Sequence, residues 1–143
     1  MSKILAISEA NAIAFHGMVL IAKSGSAINA IEIAEKMNAS KHHVSKVMQR
    51  LVKSGIISST RGPSGGFFLI QKPETIKLID ILESVEGKVT INQCPINTVE
   101  CPFGDCLMGG ICYNLSKKMM DYINVTTLAD IINNNINEED TFI

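Results

Sequence analysis

The chain has 143 residues and a formal net charge of −1, with 46% hydrophobic and 19% charged residues. This balance is typical of a folded protein and excludes a disordered polyelectrolyte. No apolar run approaches the roughly 18–20 residues of a membrane span, and the N-terminal residues are too interrupted by Lys3 and Glu9 to form a signal peptide. We therefore expect a cytoplasmic protein that makes no contact with a membrane.

The small net charge hides an asymmetry along the chain. Residues 41–72 contain six lysines and arginines and no acid, whereas residues 119–143 contain five acids and neither lysine nor arginine. The basic segment gives a local positive field that is suited to a polyanion. A solvated helix face would have the same composition, so charge alone leaves both interpretations open.

Two helices are predicted in the first 40 residues. Ser8 is a suitable N-cap for a helix over residues 9–23. Asn29, with Glu32 three residues later, indicates a variant capping box at the start of a shorter second helix. The spacing of apolar residues in this second helix predicts that Ile31, Ala34 and Met37 lie on its buried side.

A third helix has the clearest helical pattern in the chain. Ser40 is a good N-cap, Gly55 ends the helix, and apolar residues between them recur at i, i+3, i+4 and i+7. The apolar residues are Val44, Val47, Met48 and Leu51, and the opposite face carries His42, His43, Ser45, Lys46, Gln49, Arg50 and Lys53. Two short helices joined by a tight turn, the second one basic outside, indicate a helix-turn-helix whose second helix enters the major groove of DNA.

A β-hairpin is predicted directly after this helix. Residues 56–59 and 67–70 have the composition of strands, and the turn-rich segment between them contains one arginine. Such a hairpin is a wing, and its arginine is suited to the narrow, electronegative minor groove. A plain surface hairpin is the alternative, but the order of the elements favours a winged helix. We predict that bases are contacted by His42, His43, Ser45, Lys46 and Gln49, and phosphates or the minor groove by Arg50, Lys53 and Arg61, with Pro63 and Ser64 beside it.

The second half of the chain predicts three more helices. They cover residues 75–86, residues 111–123 and a short segment that Thr127 and Asp130 cap. The helix over residues 111–123 has more apolar surface than the small N-terminal unit can cover. We therefore expect it to pack against a second copy of the chain, although packing within one chain is the alternative.

All four cysteines lie in the nineteen residues from Cys94 to Cys112, with the spacing C-x6-C-x4-C-x5-C. Thiols this close together form disulfides, hold a metal or react with an oxidant, and a reducing cytoplasm disfavours disulfides. The chain lacks the C-x2-C pairs of zinc ribbons and fingers, which disfavours zinc but leaves it open. Iron–sulfur clusters are held by thiolates in irregular loops like this one.

Several segments resemble the Rrf2 family of bacterial winged-helix transcription regulators. These segments are V-S-K-V-M-Q-R-L-V-K-S-G-I-I, R-G-P-S-G-G-F-F-L, I-D-I-L-E-S-V-E-G and T-T-L-A-D-I-I, and the resemblance runs from about residue 8 to residue 132. It implies a homodimer that binds a roughly palindromic site on double-stranded DNA. It also implies a sensor, because the family includes iron–sulfur and nitric-oxide sensors and a regulator of cysteine metabolism.

The resemblance implies roles for the cysteines as ligands of a [2Fe–2S] or [4Fe–4S] cluster. Cys94 and Cys106 correspond to the first and third ligands of the cluster-binding relatives, and Cys101 lies one residue out of register with the second. Cys112 stands where the family more often has a bulky apolar residue, so it is either a ligand or a small core residue. The fourth ligand varies within the family, and the candidates here are Cys112, Glu9 and His16.

Together these observations predict a mainly α protein with a small β-hairpin wing, a winged helix-turn-helix followed by a long C-terminal dimerisation helix. The predicted domains are a DNA-binding unit over residues 1–88, a cysteine-rich sensor loop over residues 89–112, and a dimerisation helix with a C-terminal helix over residues 113–143. An enzyme is not expected, because the chain has no nucleotide-binding glycine motif, nucleophile elbow or catalytic acid–base pair.

The predicted function is a transcription regulator, expected to be a repressor, whose operator affinity is controlled by an iron–sulfur cluster. The cluster would sense redox state, nitric oxide or iron–sulfur status. The alternative is a cluster-free regulator of the same family that a protein partner or thiol oxidation controls.

Overall fold

The computed structural model describes residues 7–91, 94 and 101–133. The elements along these residues are α1 (Glu9–Ser24), α2 (Ala30–Met37), α3 (Lys41–Lys53), β1 (Ile57–Thr60), β2 (Gly66–Leu69), a 3-10 turn (Pro73–Thr75), α4 (Leu78–Glu86), α5 (Ile111–Val125) and α6 (Leu128–Ile132). The predicted fold class, mainly α with a hairpin wing, is confirmed. Within the described ranges no helix is both long enough and apolar enough to cross a membrane.

Parts of the predicted domains lie outside the described residues. These parts are residues 1–6 of the N-terminal unit, residues 92, 93 and 95–100 of the cysteine-rich loop, and residues 134–143 of the C-terminal segment.

The first two helices begin where their capping residues predict. The Ser8 hydroxyl accepts a hydrogen bond from the Asn11 N–H at 3.1 Å. At the start of α2, the Asn29 side chain accepts from the Glu32 N–H and the Glu32 carboxylate accepts from the Asn29 N–H, both at 2.9 Å. These bonds satisfy amide groups that a helix leaves unpaired in its first turn, and the predicted capping box is confirmed.

Two predicted details of the helix-turn-helix and the hairpin are wrong. Ile31 is 46% exposed and α2 buries Ile33 in its place, whereas Ala34 is buried as predicted. The hairpin loop is two residues shorter than predicted, because Thr60 pairs with Gly66 and extends each strand toward the tip. Tertiary contacts thus decide which residues of a short element are buried and paired.

The start of α4 also differs from its prediction. The helix predicted from residue 75 begins at Leu78, because Lys77 forms an isolated β-bridge with Thr127. In this bridge the Leu78 N–H donates to the Thr126 carbonyl at 3.0 Å and the Leu128 N–H donates to the Ile76 carbonyl at 2.8 Å. The bridge fixes the first turn of α6 beside the first turn of α4.

One hydrophobic core joins the N-terminal helices to the last helix. Its fully buried members include Ile13 and Met18 of α1, Leu51 of α3, Ile81 of α4 and Leu128 of α6, each at most 2% exposed. The division of the chain into three domains remains a proposal. The structure packs α6 into the core of the N-terminal unit, whereas Ile123 is the single buried residue of α5.

The wing is anchored to the segment that precedes α2. Phe67 of β2 and Ile28 exchange two main-chain hydrogen bonds, of 2.8 and 3.1 Å. The neighbouring Gly66 lies so close to this segment that a Cβ placed on it would be 2.5 Å from the carbonyl carbon of Ile28. The hairpin and the helix-turn-helix therefore meet through main-chain atoms.

Replacing Gly66 with alanine should lower the free energy of unfolding by about 1–3 kcal/mol, because the new methyl group must displace main-chain atoms of Ile28. Urea unfolding followed by circular dichroism measures this loss. Ser64→Ala, at the exposed tip of the hairpin, is the control and should change the stability by no more than about 0.5 kcal/mol. Equal stabilities of the two variants would contradict the close approach.

A second prediction concerns pH and the N-terminus of α6. The Asp130 carboxylate accepts hydrogen bonds from the N–H and the hydroxyl of Thr127, both at 2.8 Å. These bonds, the main-chain bond first, hold the pKa of Asp130 below its ordinary value. A carboxyl group with a lowered pKa in the folded chain stabilises the fold above its unfolded pKa, and this contribution is lost as the pH falls through the folded pKa.

Asp130→Asn should therefore lower the thermal midpoint at pH 7, and the difference from the parent should narrow as the pH falls below about 4. Thermal unfolding of both proteins between pH 7 and about pH 2 tests this expectation. A difference that is the same at every pH would contradict it.

Candidate DNA-binding surface and cysteine loop

The buried face of α3 fixes which of its side chains point outward. Val44, Val47, Met48 and Leu51 are each at most 1% exposed. At about 100° per residue, the exposed side chains of His42, Lys46, Gln49 and Lys53 fall on one stripe about 60° wide on the opposite face, with the half-buried Ser45 beside it. We call these five residues the α3 stripe.

The two remaining predicted residues of α3 lie on the flank of the helix, about 80–100° from His42. The His43 ring nitrogen Nδ1 is 3.9 Å from the Glu9 carboxylate at the start of α1. The Arg50 guanidinium donates through Nη1 to the Val85 carbonyl oxygen at 2.8 Å. The structure thus places five of the seven predicted α3 residues on or beside one stripe. His43 and the exposed Arg50 lie next to it and each contacts a neighbouring helix.

The tip of the wing carries the three predicted hairpin residues. Arg61, Pro63 and Ser64 are all exposed, in the loop between β1 and β2. The Gly65 N–H donates to the Gly62 carbonyl at 3.0 Å, and Gly62 has a φ of 106°, which a residue with a side chain rarely adopts. A turn closed in this way holds the tip in a defined shape.

The charges of this region are of one sign. The first turn of α3 contains no acid, and its last turn contains Arg50 and Lys53. The segment from α3 through the wing to Lys72 also has no acid. The Glu9 carboxylate beside His43 is therefore at the edge of a basic surface, which is suited to binding phosphates.

The four cysteines are free thiols with different exposures. Cys101 and Cys106 are exposed, whereas Cys94 and Cys112 are half-buried. Residues 101–109 form two successive turns, since the Cys101 carbonyl accepts from the Gly104 N–H at 3.1 Å and the Cys106 carbonyl accepts from the Gly109 N–H at 2.9 Å. The two carbonyls are thereby occupied within the loop, while both thiols remain accessible.

The thiols have the right chemistry for an iron–sulfur cluster, because such clusters are bound by cysteine thiolates. Their positions do not yet form a complete site. Among residues 7–91, 94 and 101–133, no three side chains of His, Cys, Asp or Glu are grouped closely enough to hold one metal ion. The cysteine thiols therefore fit an iron–sulfur cluster by their chemistry, but within the described residues they are not brought together at one point.

The two candidate ligands on α1 lie in different surroundings. Glu9 is at the first turn, 3.9 Å from His43. His16 is exposed, its Nδ1 is 2.7 Å from the Ala12 carbonyl oxygen, and its ring lines an apolar cavity of about 400 Å³ between α1, α2, α4 and α6. Within the described residues, neither belongs to a group of three or more side chains that could hold a metal ion.

Exposed apolar side chains lie next to the exposed cysteines in the sequence, and sequence reasoning did not single out those of the loop. Phe103, Leu107 and Met108 are 69%, 76% and 61% exposed, and Ile111 and Leu115 on α5 are also exposed. The sequence could have indicated these residues, because three large apolar side chains in an irregular, glycine-containing loop cannot all be buried in the core of the same chain. A large exposed apolar patch is typical of an interface.

Comparisons with known proteins agree with this arrangement. A family model described as "Rrf2: Iron-dependent Transcriptional regulator" matches residues 7–134. The chain is 30% identical over 104 residues to the HTH-type transcriptional regulator IscR of Klebsiella pneumoniae (strain 342), an alignment that covers 72% of this chain and 63% of that protein. The chain thus spans less than two thirds of the length of this relative.

Two solved structures have the same fold over most of their length. CymR, the global cysteine regulator of B. subtilis, superposes with a TM-score of 0.73 at 26% identity, covering 91% of this chain and 98% of CymR. IscR of T. potens superposes with a TM-score of 0.70 at 22% identity, covering 98% of this chain and 93% of that protein. The family match over residues 7–134 leads to one conclusion: the chain belongs to the Rrf2 family of transcriptional regulators.

Proposed function

We propose that the protein is a cytoplasmic transcription regulator that binds double-stranded DNA through the α3 stripe and the tip of the wing. The α3 stripe carries this proposal, because donors and cations share one face while the opposite face is fully buried. Side chains at this position of a helix can reach base edges in the major groove. As a member of a family of transcriptional regulators, the chain is not an enzyme, in agreement with the prediction.

The exposed apolar residues of α5 support a homodimer. Ile111 and Leu115 are exposed, Met119 and Tyr122 are half-buried, and at about 100° per residue these four side chains lie within about 80° of one another. A second copy of the chain would cover this face. Two copies related by a twofold axis would present two α3 helices to a palindromic operator, whose half-sites are about one helical turn of DNA apart.

We further propose that Cys94, Cys101 and Cys106 bind an iron–sulfur cluster, with Cys112, Glu9 or His16 as the candidates for a fourth ligand. The support is the thiol donor set, the iron dependence in the description of the family model and the resemblance to IscR. When bound, such a cluster supplies a centre that responds to oxidants, nitric oxide or iron supply. In that case the regulator acts as a repressor whose affinity for the operator depends on the state of the loop.

A second candidate is a cluster-free regulator controlled by a protein partner or by oxidation of its thiols. Two observations favour it. The chain superposes on CymR, a cysteine regulator, over nearly the whole length of CymR. The exposed thiols of Cys101 and Cys106 are also accessible to an oxidant.

Arg61→Ala and Lys46→Ala should each weaken binding of an operator, selected from random-sequence duplexes, by about 1–3 kcal/mol, because each removes a cation from the proposed surface. Fluorescence anisotropy measures the affinity. The matched control is Lys117→Ala, which removes the same charge from α5, outside the proposed surface, where the ammonium donates to Asp121 at 3.0 Å. This variant should bind as the parent does. If all three variants bind equally well, the proposed surface is wrong.

The cluster is tested by anaerobic purification, with iron and sulfide assays and a visible absorption spectrum. Bound iron and sulfide are expected in the parent protein and should be lost in Cys94→Ser and Cys106→Ser, because serine replaces a thiolate ligand. Cys112→Ser should also lose bound iron and sulfide if Cys112 is a fourth ligand, and should retain both if Cys112 is a small core residue. A colourless, iron-free parent that binds DNA normally would favour the second candidate.

A further inference from the structure

Arg50 makes a contact that a DNA-binding role does not explain. Its Nη1 donates to the Val85 carbonyl oxygen at 2.8 Å, across 35 residues of sequence, and the bond is partly buried. Arg50 is itself exposed and leaves α3 about 40° beyond Lys46 of the stripe. The bond to Val85, rather than the position on the helix, directs the guanidinium to the C-terminal turn of α4.

The C-terminal turn of α4 needs a cation from another element. The last four carbonyls of a helix have no partner within it, and its C-terminus carries partial negative charge. The last turn of α4 contains no basic residue, and the helix ends at Gly87 with a φ of 86°. Arg50 supplies a positive charge and a hydrogen bond to one of these last carbonyls, that of Val85.

The segment that leads to the cysteines starts from the same turn. The Glu83 carboxylate of α4 accepts a hydrogen bond from the Val89 N–H at 3.1 Å, and the Gly87 N–H donates to the Glu83 carbonyl at 2.9 Å. Cys94 follows five residues after Val89, which is at most about 18 Å of extended chain. One turn of α4 is therefore bonded both to the recognition helix, through Arg50, and to the start of the segment that leads to the cysteines, through Val89.

We propose that Arg50 is a positioning residue that clasps α3 to the C-terminal turn of α4 and so links the recognition helix to the cysteine segment. It does not bind DNA phosphate. A displacement of residues 88–91 is transmitted to Glu83 and Val85 and, through Arg50, to α3. The link between DNA binding and the cysteines rests on the proposed function, whereas the contact between Arg50 and α4 is a property of the fold.

The first test separates positioning from phosphate binding by the dependence of DNA affinity on salt. Each phosphate contact contributes about 0.9 to the slope of log K against log salt concentration. With a random-sequence duplex as the probe, Lys53→Gln is the control and should reduce the slope by about 0.9, whereas Arg50→Gln should leave the slope unchanged. A reduction of about 0.9 in Arg50→Gln would overturn the proposal.

The second test follows the clasp without DNA. Amide hydrogen exchange of residues 85–91 should become at least about tenfold faster in Arg50→Gln, because a hydrogen bond to a charged group is lost, and should be unchanged in Lys53→Gln. Arg50→Lys keeps the charge and a donor, so it should retain part of the protection that Arg50→Gln loses. Exchange as slow as in the parent in both Arg50 variants would overturn the clasp, and circular dichroism confirms that each variant is folded.

The third test measures the link to the cysteines, using the full chain as purified under anaerobic conditions. After a chelator has removed bound iron, saturation with duplex DNA should change the exposure of Cys94 and with it the rate at which iodoacetamide alkylates this thiol in the parent, and Arg50→Gln should abolish this change. The same change in both proteins, or none in the parent, would overturn the link. A parent that fails to bind DNA in the titration would refute the proposed function instead, and the exchange rates would still decide on the clasp.

Discussion

The burial of one face of α3 is the constraint on which the rest of the site depends. Four aliphatic and methionine side chains at helical spacing are removed from water almost completely, and each stabilises the fold by roughly 1.5–3 kcal/mol relative to an exposed position. A rotation of α3 by a single residue would expose part of this face. The direction of every outward side chain on the helix is therefore set by packing inside the protein.

The same constraint explains why His43 and Arg50 can contact neighbouring helices. His43 and Arg50 lie on one flank of the helix, where α1 and α4 approach it. The pair of His43 with Glu9 is long and partly exposed, so it contributes little to stability. The bond from Arg50 to the end of α4 is short and partly buried, which makes it the firmer attachment of this flank.

Sequence patterns predicted most of the fold because helix caps and apolar spacing are local. Ser8 and Asn29 began helices as predicted because their side chains satisfy amides only three residues away. The start of α4 could not be predicted in this way, since a bridge to Thr127, fifty residues further along the chain, decides it. The predictions for Arg50 and for the cysteines share this difficulty, because spacing indicates which donors are available but not where tertiary contacts place them.

The contact between Gly66 and Ile28 joins wing and helix-turn-helix through main-chain atoms. If DNA binds as proposed, the distance between the major-groove and minor-groove contacts is then independent of the side chains at the wing tip. Substitutions of Arg61, Pro63 or Ser64 can change the preferred base pairs, while the number of base pairs between the two contacts stays constant. Divergent members with this glycine would share an operator geometry even where their operators have no sequence in common.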